Sequence, residues 1–141
     1  MGYFGLSRMS TFVTGAEIAP KNFIINRELL VAYANASGDQ NPIHQNEAFA
    51  QSVGLENVIA HGMLTMALVG RYVSEIAGSG AVKEFAARFV KPVVVPASTD
   101  VELLVSAKVL AIESNEMKIE ITASCKGVKV LSMAKAVIAI R

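Results

Sequence analysis

Residues 61–77 are the segment that most limits how this chain can fold. Met63, Leu64, Met66, Ala67, Leu68, Val69, Tyr72, Val73, Ile76 and Ala77 fall at spacings that cover nearly the whole circumference of a helix. Such a helix has to be surrounded. About 17 residues at 1.5 Å each reach roughly 25 Å, and Arg71 and Glu75 interrupt the apolar run, so the segment is unsuited to spanning a bilayer. It is expected to be a core helix, and the remaining chain has to cover it.

The second half of the sequence can do so. Met117, Ile119, Ile121, Ala123 and Cys125 alternate with Lys118, Glu120, Thr122 and Ser124, the period of a strand with one wet face. Residues 82–91, 100–113 and 128–140 are also strand-like. Short turns at Ser114-Asn115 and Lys126-Gly127 favour consecutive antiparallel hairpins. An antiparallel sheet with one apolar face and a helix that needs cover satisfy each other when the sheet wraps the helix. The expected class is α+β.

The first half reads as short elements around a loop. A strand at 23–25 is followed by Asn26, a helix-capping residue, and a helix over 27–36 that Ser37-Gly38 ends. Residues 39–45 form a polar loop containing a proline, and 47–53 suit two helical turns closed by Gly54.

With 141 residues, of which 52% are hydrophobic and 18% charged, the chain has the material for one domain with a substantial core. No repeat or linker divides it. Met9 can serve as an alternative start, so residues 1–9 are read as an extension outside a domain covering 10–141. Met1-Gly2 resembles a myristoylation start, but Leu6 stands where that motif requires Ser or Thr.

The formal charge is +1, from 13 basic and 12 acidic residues scattered without a cluster, which argues against a nucleic-acid partner. A charged-then-apolar leader pattern is missing and no apolar run is long enough to insert, so a cytoplasmic location is expected. The lone Cys125 has no internal disulfide partner and no CxxC spacing. It is read as a buried, inert thiol.

The run Ser37-Gly38-Asp39-Gln40-Asn41-Pro42-Ile43-His44 places a carboxylate, an amide and an imidazole close together. An imidazole held beside a carboxylate can move protons near neutral pH, which makes Asp39 and His44 a candidate acid/base pair. The same spacing is compatible with Asp39 capping the next turn and His44 merely packing. A metal site is not expected, because Asp39, His44 and His61 are too few ligands and no thiolate lies at a usable spacing.

Ala60-His61-Gly62-Met63 opens the core helix, where unpaired N–H groups and the helix dipole favour negative charge. Gly62 permits close approach to its N–H, which could stabilise charge developing on a carbonyl oxygen. His61 reads as a local cap or hydrogen-bonding group. Tyr33, Phe49, Val53, Met63 and Met66 lie close enough in sequence to these motifs to line an apolar channel, although ordinary core packing accounts better for any one of them.

Gly38-Asp39-Gln40-Asn41-Pro42-Ile43-His44 resembles the hydratase motif of MaoC-like proteins, and Ala60-His61-Gly62-Met63 resembles their second signature. The resemblance runs from about residue 10 to the C-terminus. It implies a hotdog fold, dehydration of (3R)-hydroxyacyl thioesters or its reverse, acyl-carrier-protein or coenzyme A thioesters as substrates, and no cofactor. It also implies a dimer, either a homodimer or a heterodimer with a related hotdog subunit. By position, Asp39 and His44 would be the catalytic pair, Asn41 would orient the loop and the Gly62 N–H would bind the thioester carbonyl. The single-domain length and closing strands most resemble the B subunits of actinobacterial (3R)-hydroxyacyl-acyl-carrier-protein dehydratases. The rival readings are a hotdog thioesterase attacking C1 and a non-catalytic acyl-binding subunit.

Overall fold

The computed structural model describes residues 12–140. The expected N-terminal extension and its Met1-Gly2 start lie outside the described residues.

The element order is β1 (Glu17–Ile25), α1 (Arg27–Ser37), a 3-10 turn (Pro42–His44), α2 (Glu47–Ser52), α3 (Gly62–Ala77), β2 (Val82–Phe89), β3 (Val101–Glu113), β4 (Glu116–Cys125), β5 (Val128–Lys129) and β6 (Leu131–Ala139). The strands form one antiparallel sheet in the order β1-β3-β4-β6-β2, with the short β5 paired to β4. The sheet and the long helix α3 together make the hotdog arrangement that the sequence leads one to expect.

The alternation in β4 governs which face is inside. Met117, Ile119, Ile121, Ala123 and Cys125 are all buried, and burial pushes the Cys125 thiol upward, which keeps it protonated and unreactive. These residues pack in one core with Leu103, Ile138, Val69, Tyr72 and Val73. Both predicted turns are two-residue hairpin connections with positive φ, 52° and 63° at Ser114-Asn115 and 52° and 75° at Lys126-Gly127. That geometry matches the right-handed twist of the strands it joins.

β1 begins six residues earlier than its predicted start at residue 23. Its register shifts between Ile18 and Lys21, because Pro20 has no N–H to give the ladder. The shift breaks the period-two pattern and hides the outer half of the strand from sequence inspection. A proline is tolerated here because β1 is a sheet edge. Beside it, Tyr72 of α3 donates its buried hydroxyl to Ala19 O at 2.9 Å, and desolvation pushes the phenol up to about 12.

Helix α1 starts where Asn26 accepts the Leu29 N–H at 2.9 Å and stops at Gly38, with φ 82°. Loss of that cap is expected to cost about 1 kcal/mol, so Asn26→Ala should lower the urea midpoint of unfolding without changing the slope.

The structure corrects one expectation about α3. Leu64, Thr65, Val69, Tyr72, Val73 and Ala77 are buried, but Met63 is 59% exposed and Ala67 is also exposed. One chain covers only one side of this helix. Among the described residues, no helix is long and apolar enough to cross a membrane.

Candidate active site

The loop between α1 and α2 is built by its own side chains. Asp39 Oδ1 accepts the Asn41 N–H at 3.1 Å, and Asn41 Oδ1 accepts the Ile43 N–H at 3.1 Å. Pro42 then occupies the first position of the 3-10 turn, where a missing N–H costs nothing. Asp39 and Asn41 thus shape the turn that presents His44.

His44 is buried, at 6% exposure, and its Nδ1 lies 2.8 Å from the Ile59 carbonyl oxygen. A carbonyl only accepts, so Nδ1 carries the proton and Nε2 carries the lone pair. That Nε2 faces Asp39 Oδ2 at 3.9 Å. The separation is too long for a direct hydrogen bond, which leaves both groups free to engage a reacting atom. Asp39 itself is half exposed.

Ile59 lies in the segment that leads into α3. Its N–H donates to Ile43 O at 3.2 Å, while Ala60 N–H donates to Val93 O and Val95 N–H to Val58 O, both at 2.8 Å. The 39–45 loop is therefore fastened to the strand-like segment 58–60, which is fastened in turn to 93–95. Arg27 adds a second fastening, donating to Val95 O, Asn57 Oδ1 and Glu47 Oε1.

Gly62 is the first residue of α3, so its N–H has no intrahelical acceptor. Leu64 and Thr65 take the carbonyl of the capping residue, His61, at 3.0 and 3.2 Å. A cavity of about 410 Å³ brings together Ile43, His44, Ile59, Gly62, Thr65 and Phe89, with Val90, Lys91, Val93 and Val130 completing the wall. The Phe89 ring lies over Gly62, 3.3 Å from where a Cβ would be. A larger open depression over β1 and β3, lined by Asn22, Asp100, Glu102 and Lys126 among others, shares none of these residues.

None of the five residues expected along an apolar channel lines this cavity. Phe49, Val53 and Met63 are exposed at 40%, 56% and 59%, Met66 is half-buried, and Tyr33 packs edge-on against His61 with ring centroids 4.8 Å apart. The apolar wall comes instead from Ile43, Ile59 and Ala60 in or beside the motifs, and from the end of β2 and residues 90, 92, 93 and 130, far from either motif in sequence.

Ligand atoms of Asp39, His44 and His61 come within 4.8 Å of one another, a more compact group than their spacing suggests. The two imidazoles, however, are stacked, with centroids 3.8 Å apart and planes inclined by 23°. Rings stacked in near-parallel planes do not aim their in-plane nitrogens at one point, which suits tetrahedral coordination poorly. The arrangement suits proton transfer between His44 and Asp39 better.

A family model described as the MaoC like domain matches residues 12–126. The chain belongs to this family. A solved MaoC-like dehydratase superimposes with a TM-score of 0.90 at 32% identity, over 94% of this chain and 42% of that one. The unliganded R-hydratase PhaJ1 of Pseudomonas aeruginosa does so with a TM-score of 0.80 at 26% identity, over 94% of this chain and 84% of that one. Among curated proteins, 3-hydroxyacyl-thioester dehydratase X of Mycobacterium tuberculosis is 46% identical over 66 residues, which are 47% of this chain and 23% of that protein. The mitochondrial 3-hydroxyacyl-[acyl-carrier-protein] dehydratase of Arabidopsis thaliana is 31% identical over 64 residues, 45% of this chain and 39% of that protein. The chain thus spans less than half the length of these curated relatives.

For this MaoC-like chain, sequence reasoning underrated His61. It makes no side-chain capping bond to its own helix. Its Nε2 instead reaches the Asp39 carbonyl oxygen, 22 residues away, at 3.1 Å. Only its place within the second motif hinted at such a role.

Proposed function

We propose that this chain is a hydro-lyase that interconverts (3R)-hydroxyacyl and trans-2-enoyl thioesters in fatty acid metabolism, with the acyl group on acyl carrier protein or coenzyme A. The observation that carries the reading is the placement of His44 Nε2 3.9 Å from Asp39 Oδ2, with His44 on the wall of a cavity that also holds the first residue of a long helix.

In dehydration, the Gly62 N–H polarises the C1 carbonyl, and the helix dipole adds to the effect. Negative charge can then build on the carbonyl oxygen as the C2 proton is removed. Asp39 and His44 together take that proton and deliver one to the departing C3 hydroxyl, so that water leaves and a C2–C3 double bond forms. Coupled groups share their titration, and the two transfers belong to the pair. No electrons change hands and no cofactor is needed. Hydration is the reverse path.

Asn41 keeps the loop in shape, and the acyl chain runs along the wall made by Phe89, Val90 and Val130. The chain works as a dimer, with a second copy or a related hotdog subunit. Two features support this: among the described residues β2 leaves one edge of the sheet unpaired, and Phe89, Val90 and Met63 are 56%, 49% and 59% exposed, an apolar group of the kind that partner subunits cover.

The test uses the purified protein and crotonyl-CoA. Loss of the enoyl absorbance with no release of free thiol is expected. Thiol release at the same rate would make the protein a thioesterase, and an unchanged substrate, with no activity on the carrier-protein thioester either, would end the hydro-lyase reading.

A further inference from the structure

We infer that His61 is the positioning residue of this site: its buried imidazole holds the Asp39 loop, the His44 ring and the start of α3 in one arrangement. What it positions rests on the hydro-lyase reading; the contacts themselves do not.

Three contacts carry the inference. The Nε2–H donates to the Asp39 carbonyl oxygen at 3.1 Å, which fixes the backbone at the residue whose carboxylate faces His44. The ring stacks on His44 at 3.8 Å, which fixes the tilt of the imidazole that carries the lone pair. The backbone of the same residue caps α3, so Gly62 is its chain neighbour. Tyr33, packed edge-on from α1, adds a fourth contact. At 1% exposure, His61 is not placed to touch a substrate.

Packing does not account for an imidazole here. The Nδ1 atom is buried with no hydrogen-bond partner among the described residues, and leaving a buried acceptor unsatisfied costs about 1–3 kcal/mol. A phenyl ring would fill the same apolar space without that cost, but it could not donate to Asp39. Desolvation also holds this imidazole below its ordinary range, so it stays neutral. A cation at stacking distance would oppose proton uptake by His44. The titratable groups facing it are His44, the Asp39 carboxylate and the Tyr33 phenol.

Two variants separate the contacts. His61→Phe keeps a ring against His44 but removes the donor, whereas His61→Gln keeps a donor near the Nε2 position. Crotonyl-CoA hydration by His61→Phe is expected to show kcat lowered about 10- to 100-fold, the order expected for a misplaced group, with KM changed less than about threefold. His61→Gln should recover several-fold of that loss. A folded His61→Phe with wild-type kcat, or two variants reduced equally and in proportion to their loss in Tm, would overturn the inference.

Imidazole nitrogen NMR of the wild-type protein needs no variant to fold. One histidine should show the Nε2–H tautomer and remain neutral at ordinary pH; an Nδ1–H tautomer at His61, or its protonation there, would overturn the inference. If the wild-type protein hydrates no enoyl thioester, the hydro-lyase reading fails while the imidazole spectrum still decides the anchor.

Discussion

Crotonyl-CoA hydration is expected to fall by about 10²- to 10⁴-fold in kcat when His44 is replaced by alanine or Asp39 by asparagine, the range that a positioned acid or base contributes. The two changes act on one unit. Asp39→Asn keeps an oxygen able to accept the Asn41 N–H, so the turn should survive while the negative charge facing His44 is lost. His44→Ala removes the lone pair that the Ile59 carbonyl keeps aimed at Asp39. KM should change little, because neither group is being asked to bind the acyl chain. The double variant should be no slower than the worse single one, since groups that move protons jointly are not additive. Turnover above a tenth of wild type in either folded single variant would remove that residue from the pair.

The other large effect concerns a backbone atom, which ordinary side-chain replacement leaves in place. Gly62→Pro deletes the N–H proposed to bind the carbonyl. The position tolerates proline unusually well, being the first residue of a helix. His61 before it has φ −58° and ψ 132°, the extended conformation that a residue preceding proline prefers. Gly62→Ala is the control: it adds the same Cβ beside the Phe89 ring, 3.3 Å away, but retains the N–H. Any crowding from Phe89 therefore appears in both variants. Relative to Gly62→Ala, Gly62→Pro is expected to lose about 10²- to 10³-fold in kcat, the effect of removing one oxyanion donor. Equal rates for the two variants would show that the N–H does not bind the carbonyl.

The two predictions draw on parts of the molecule that were unequally legible. The fold was the more legible part, because its signals are local. Strand β4 could be read from alternation, both hairpin turns from residues that tolerate positive φ, and the start of α1 from Asn26. β1 was read short because Pro20 and the register shift beside it break that alternation. The one-sided cover of α3 was likewise not visible, since apolar residues around a helix reveal that cover is needed but not which chain provides it.

The site divides in the same way. Asp39, Asn41 and His44 are close in sequence, and bonds spanning two residues build their turn, so the string itself encodes that half. The sequence by itself therefore determined the turn that carries Asp39 and His44 and the helix whose first residue, Gly62, lines the cavity beside His44. Only the tertiary structure decided the rest. It turned His44 through the Ile59 carbonyl, made His61 an anchor for Asp39, and drew the cavity wall from Phe89, Lys91 and Val130. Those choices depend on which segments the sheet and its connections bring together. Contacts across 15 or more residues leave no periodic or local mark, because their energy appears only once the intervening chain has folded.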